Sequence, residues 1–109
     1  MSRRVARRPR ARQDIIEQAE FIGADNPRAA ERFLGAIERA ERMLAATPGM
    51  GAARDFPRLE GIRMWPVKGF TRHLIFYRPI EGGIEVIRML HASRDIEALF
   101  RDEEGGTPG

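Results

Sequence analysis

Residues 70–91 read FTRHLIFYRPIEGGIEVIRMLH, two apolar-rich runs on either side of Glu81-Gly82-Gly83. Glycines between β-branched and aromatic runs mark a β-hairpin, so strands are expected over 70–78 and 84–91. Pairing Ile80 with Ile84 sets Tyr77 opposite Ile87, Ile75 opposite Met89 and His73 opposite His91 on one face, the face that suits packed helices. The reverse face then carries Arg72, Leu74, Phe76 and Arg78 beside Ile84, Val86, Arg88 and Leu90. A face meant only for water alternates to polar residues. Leu74, Phe76, Val86 and Leu90 need a cover that so short a chain supplies in part and a partner completes.

Working outward, a further strand is expected at 61–67, preceded by a loop over 48–60 that is rich in Pro, Gly and charge. Upstream of the loop, Phe33, Ile37, Ala40 and Leu44 recur with helical spacing, and the pattern stops at Thr47-Pro48-Gly49. Ile15, Ala19 and Ile22, broadened by Ile16 and Phe21, form a second such stripe over 10–24, with Asp14, Glu17 and Glu20 on the opposite side. Asn26-Pro27 between them supplies a capping side chain and a Pro at the one helical position that favours it, so the two helices form a short-linked antiparallel hairpin. After residue 91, Ser93 caps a short helix from Arg94 to about Arg101, with Asp95 and Glu97 in its first turn. The expected fold is α+β: an N-terminal strand, a helical hairpin on a mainly antiparallel three- to four-stranded sheet, and a short C-terminal helix. One domain is expected over 1–101, and the acidic tail 102–109 is expected to be disordered because it has nothing to bury.

A chain of 109 residues, 42% of them hydrophobic, is long enough for one core and too short for two. With no Cys and two His, disulfide frameworks, thiolate chemistry and a protein-built transition-metal site are not expected. No run is apolar enough for a membrane span or a signal-peptide core, so a cytoplasmic protein with no membrane partner is expected. The net charge of +3 is segregated, with blocks 1–12, 13–60, 61–94 and 95–109 carrying +6, −3, +4 and −4. The two basic blocks favour an anionic partner, although base composition of a genome also yields eighteen Arg to one Lys. Arg8, Arg10 and Arg12 stand at the start of the first helix, the positive end of its dipole, where cations are unfavourable. Either their long side chains simply reach solvent, or, with Arg94, they are contacts for an anionic partner.

Strong enzyme motifs are missing. The cross-strand pair His73 and His91 reads as core histidine before it reads as catalytic. Arg63, Lys68, Arg72, Tyr77, Arg78, Arg88 and Arg94 supply the residue types of a metal-free ribonuclease, which residue type alone does not establish. No cofactor or metal is expected.

Five segments fall in a recognisable order: Asn26-Pro27-Arg28-Ala29-Ala30-Glu31-Arg32-Phe33, Pro48-Gly49-Met50-Gly51, Ile62-Arg63-Met64-Trp65-Pro66-Val67, Ile75-Phe76-Tyr77-Arg78, and Ile87-Arg88-Met89-Leu90-His91 with Arg94-Asp95. Together they resemble the RelE/ParE family of bacterial type II toxins over residues 3 to about 100. In the mRNA-cleaving RelE branch the resemblance implies an Arg on the middle strand, an Arg after the last strand and a catalytic Tyr about six residues on. Here those positions fall on Leu74, Arg94 and Phe100, and Phe100 has no hydroxyl to move a proton. The ending Leu90 to Asp95 looks like the ParE branch, which implies DNA gyrase inhibition by binding, no catalytic residue, and neutralisation by a cognate, ParD-like antitoxin through which alone DNA is met. Arg72, close to the middle-strand position, keeps a ribosome-dependent mRNA endoribonuclease as the alternative. A non-toxic binding module in an antitoxin-repressor complex is the third reading. The antitoxin is expected on the strip Arg72, Leu74, Phe76, Arg78, Val86, Arg88 and Leu90, since acids beside apolar side chains complement it. The competing cover for part of that strip is the C-terminal helix, through Ile96, Leu99 and Phe100.

Overall fold

Asn26-Pro27 divides the helical part of the chain as its chemistry requires. In the computed structural model, which describes residues 3–57 and 59–105, the Asn26 side chain accepts a hydrogen bond from the Ala29 N–H at 3.1 Å. Pro27 takes the first helical position, where a missing N–H loses nothing. The strand β1 (Arg4–Arg7) precedes the helices α1 (Pro9–Asp25) and α2 (Pro27–Ala46). A 3-10 turn (Pro48–Met50), β2 (Ala52–Phe56), β3 (Leu59–Val67), β4 (Phe70–Ile80), β5 (Gly83–His91) and α3 (Ile96–Gly105) follow. Among the described residues the strands form one sheet in the order β1-β5-β4-β3-β2, with β1 parallel to β5 and every other pair antiparallel. β2 is an addition to the expected three or four strands. Its Ala52-Ala53-Arg54-Asp55 lacks a β-branched run, and pairing with β3 together with the buried ring of Phe56 recruits it as an edge strand. No described helix is long and apolar enough to cross a membrane.

The β4–β5 hairpin corrects the expected register. The turn is two residues, Glu81-Gly82, with Gly82 at φ +82°, so Ile80 pairs with Gly83 instead of Ile84. A bulge then restores the count: Tyr77 pairs with Val86 and Phe76 with Arg88, leaving Ile87 as the extra residue. Ile75 opposite Met89 and His73 opposite His91 stand as expected. Because one residue of slip flips a side chain to the other face, Ile84 and Val86 lie in the helix-side core and not on the reverse face. Ile87 takes their place there.

Two apolar layers result. Ile15, Phe33, Ile37 and Leu44 of the helices pack on Ile75, Tyr77, Ile84, Val86 and Met89. On the reverse face Leu74, Phe76, Ile87 and Leu90 join Phe56 and Ile62, and α3 covers them with Phe100, which is fully buried. The Phe100 ring stacks on Phe56 at 4.3 Å and meets Phe76 edge-on at 5.0 Å. The C-terminal helix is therefore the cover, worth roughly 1.5–3 kcal/mol for a ring of this kind. It begins later than expected. Asp95 caps it by accepting the Ala98 N–H at 3.2 Å, while the Ser93 hydroxyl lies 2.7 Å from His91 Nδ1. It also runs on to Gly105, so 102–105 of the tail are helical, and 106–109 lie outside the described residues.

Two glycines permit close approaches. A Cβ on Gly83 would fall inside the Arg4 carbonyl of the neighbouring strand, and one on Gly51 would lie 2.5 Å from the Tyr77 hydroxyl and 2.9 Å from the Met64 carbonyl oxygen. The Tyr77 hydroxyl accepts from the Gly51 N–H and donates to the Pro48 carbonyl, each at 2.8 Å, which ties the 3-10 turn to the sheet. Burial pushes the Tyr77 phenol above its ordinary pKa, against the opposing hydrogen bond from Gly51. Gly83→Ala is expected to lower stability by about 3 kcal/mol or more and Gly51→Ala by about 1–3 kcal/mol. Gly49→Ala, at a site with open space around it, is the control expected to change little. Urea unfolding midpoints of the three variants test this.

Candidate functional site

β1 pairs with only the first half of β5: Arg7 matches Val86, and the Arg8 N–H closes the ladder on the Val86 carbonyl at 3.0 Å. Beyond that point side chains of α1 take over the strand edge. Asp14 Oδ2 accepts the Met89 N–H at 3.0 Å, and Gln18 Nε2 donates to the Met89 carbonyl at 2.8 Å. Spacing of four residues places both on one helix face. Arg88, carried at the bulge, lays its Nε and Nη2 on the two Asp14 oxygens at 2.8 and 3.0 Å, and both side chains are less than a tenth exposed. This corrects two expectations. Asp14 is not on the solvent side of α1, and Arg88 is not on a partner-facing strip.

Gln18 also fixes a histidine. Its Oε1 lies 2.7 Å from His73 Nδ1 and has no proton to give, so His73 donates from Nδ1 and keeps its lone pair on Nε2. His91 has the opposite arrangement: its Nδ1 accepts the Ser93 N–H at 3.1 Å, so a neutral ring carries its proton on Nε2. The His73 ring meets Phe33 edge-on at 4.8 Å and His91 at 5.0 Å. Burial first, and the neighbouring His91 second, lower the His73 pKa below the usual imidazole value.

The same face of α1 continues in both directions. Arg10, Gln13, Asp14, Glu17, Gln18 and Phe21 line one wall of a cleft of about 550 Å³, and His91, Ser93, Arg94 and Leu99 line the wall opposite. Phe21 is 84% exposed. Phe21 was expected in the core because its position broadens the apolar stripe of α1. Asp14, Gln18 and Phe21 were not expected at a site, and the signal that could have located them is their spacing from Arg10 along one helical face.

The other expected site residues scatter. Leu74, Phe76 and Leu90 do share the reverse face but are buried beneath α3. Val86 is on the helix side, Arg72 is exposed, and Arg78 pairs with Glu85 at 2.8 Å. Arg8 reaches the same Glu85 at 3.4 Å. Burial raises the Glu85 pKa, and the hydrogen bond from Arg78 with the charge of Arg8 outweighs it, leaving the carboxyl below its ordinary value. Arg12 sits apart, in a shallow site with Arg7, Glu38, Glu41 and Arg42. There Arg7 makes a two-pronged contact with Glu41 at 2.6 and 2.7 Å, which raises its pKa. Of the four cations expected at an anionic partner, the fold brings together Arg10 and Arg94. No group of three or more metal-ligating side chains occurs among the described residues.

Two expected outcomes follow from this geometry. Asp14→Ala removes the carboxylate that meets both the buried Arg88 guanidinium and the Met89 N–H and should lower stability by about 3–5 kcal/mol. Asp14→Leu with Arg88→Met should recover most of that loss, short of the unsatisfied Met89 N–H at about 1–3 kcal/mol, as read by urea unfolding. For His73 the folded pKa lies below the unfolded value of 6.5, so the neutral ring stabilises the fold fully above that pH and the contribution is lost as pH falls beneath it. Unfolding free energy should therefore drop between pH 7 and pH 5, and His73→Gln should make the drop shallower.

Residues 5–96 match the family model described as ParE toxin of type II toxin-antitoxin system, parDE. A chain of the "Chromosomal ParDE TA system from P. aeruginosa" superposes with a TM-score of 0.66 at 17% identity, over 84% of this chain and 95% of that one. At that identity the likeness is one of fold. No curated protein sequence matches the chain. The matched span opens in β1 and closes on the first residue of α3, taking in the hairpin, the sheet and the α1–β5 edge, and on that span the chain belongs to the ParE toxin family of type II toxin–antitoxin systems.

Proposed function

We propose that the chain is a toxin that inhibits DNA gyrase by protein binding, without chemistry of its own, and is neutralised by a cognate antitoxin. The family match over residues 5–96 supports the toxin role, and the fold neighbour comes from a toxin–antitoxin system. The observation that carries the choice between mechanisms is Phe100. The position that the resemblance assigns to a nuclease Tyr holds a ring with no exposure, wedged against Phe56 and Phe76. It lacks a hydroxyl, and a phenol placed there would face the core. Leu74, on the middle-strand position, is likewise under α3. Arg94 alone could stabilise charge but could not move a proton, a contribution of about 10² to 10⁴ in rate.

Purified protein is expected to inhibit supercoiling by gyrase, and induced expression is expected to leave cellular mRNA intact. Phe100→Tyr should not create cleavage, because the added hydroxyl points into packed rings. Site-specific mRNA cuts on translating ribosomes, lost in Arg94→Ala, would replace this reading with the ribosome-dependent nuclease.

A further inference from the structure

The cleft between α1, the second half of β5 and α3 combines features that no part of the fold uses. Arg10 stands in the first turn of α1, which contains no acid and has no side-chain cap. A cation there opposes the helix dipole. Neither Arg10 nor Arg94 has an ion pair or side-chain hydrogen bond among the described residues, whereas the Arg residues at 7, 8, 78 and 88 are all matched to acids. At the far end of the same helix face Phe21 leaves 84% of its surface in water. Leu99, half-buried, adds apolar surface across the cleft. An unfavourable cation, a second unmatched cation opposite, and a stranded aromatic ring lie along one cleft about three helical turns long.

We propose that this cleft is the docking site for an acidic amphipathic segment of the antitoxin, whose carboxylates meet Arg10 and Arg94 and whose apolar side chains cover Phe21. The assignment rests on the toxin–antitoxin reading. Guanidinium groups favour carboxylates through two-pronged contacts, and a half-apolar, half-cationic wall calls for acids beside Leu, Ile or Val. The wall also holds Glu17 and the Asp14 carboxylate. A phosphodiester chain would set successive charges against them, whereas a peptide places its acids one by one. The reverse sheet face, expected to serve this role, is occupied by α3.

Calorimetry of the full chain with its cognate antitoxin tests the site. Arg10→Glu and Arg94→Glu should each weaken binding at least tenfold, Phe21→Ser should do so by a similar factor, and the double Arg variant should bind at least a hundredfold more weakly than the parent. Arg39→Glu, an exposed position on α2, is the control of equal charge change and should stay within twofold. Arg10→Glu improves the helix dipole, so its thermal midpoint should equal or exceed that of the parent and a binding loss cannot be assigned to misfolding. Cleft variants that bind within twofold of the parent would overturn the assignment, as would loss confined to Arg72→Glu, which would return the antitoxin to the sheet. Variants that bind the antitoxin normally but lose gyrase inhibition or nucleic-acid affinity would overturn it as well, handing the cleft to another partner. A parent chain that does not bind the antitoxin would instead refute the toxin–antitoxin reading itself, and the docking site with it.

Discussion

The carboxylate of Asp14 closes the seam between α1 and the half of β5 that β1 leaves uncovered. β1 is four residues long and β5 is nine, so about half of β5 has no strand beside it on that edge. An open edge inside a packed domain leaves backbone groups that neither water nor a ladder satisfies. Asp14 and Gln18 supply, from a helix, the acceptor and donor that a longer β1 would have supplied at Met89. The bulge at Ile87 matters here too, because it places Arg88 where its guanidinium can meet the carboxylate that Met89 needs. A buried ion pair is weak evidence for stability, since desolvation offsets much of the attraction. Its contribution here is geometric: it fixes the rotation of α1 about its own axis, and every other residue on that face follows.

Electrostatic segregation along the chain resolves in a similar way. The basic arm and the basic strands look like one anionic-partner surface when read as blocks of sequence. Folding brings acids of α1, α2 and β5 onto them: Glu41 to Arg7, Glu85 to Arg8 and Arg78, Asp14 to Arg88. The part-exposed pairs at Glu85 contribute little to stability, but all four pairs remove cations from the surface available to a partner. What remains is a smaller set of Arg side chains whose position, more than their number, carries information.

Much of the architecture was legible because it follows from short-range chemistry. The Asn26-Pro27 cap and the helical stripe through Phe33 and Leu44 act within a few residues and formed as expected, and the glycine turn formed at the expected place, one residue tighter. The errors arose where one residue of register decided a face. A two-residue turn and a compensating bulge cancel over the whole hairpin, so Ile75 and His73 found their expected partners while Val86 and Ile87 exchanged sides. No local feature of Ile84-Glu85-Val86-Ile87 distinguishes a bulged strand from a regular one. Asp14 was misplaced because a polar residue beside an apolar stripe normally faces water, and its partner lies 74 positions away. The exposed position of Phe21 was illegible for the converse reason, since hydrophobicity alone assigns it to the core.

The parallel pairing of the first strand with the last also constrains when the molecule exists during its own synthesis. Arg4 cannot meet Gly83, nor Asp14 meet Arg88, until nearly the whole chain has left the ribosome. At roughly 5–20 residues per second the helical hairpin emerges seconds ahead of the strand that receives it. Closing a loop of about 80 residues is moreover an entropic cost met late. The nascent chain thus passes through a period in which α1 has neither its sheet edge nor its buried carboxylate contact. The α1 face from Arg10 to Phe21 is therefore set in place only with the last strand, and truncated products ending before β5 lack the partner that orients it.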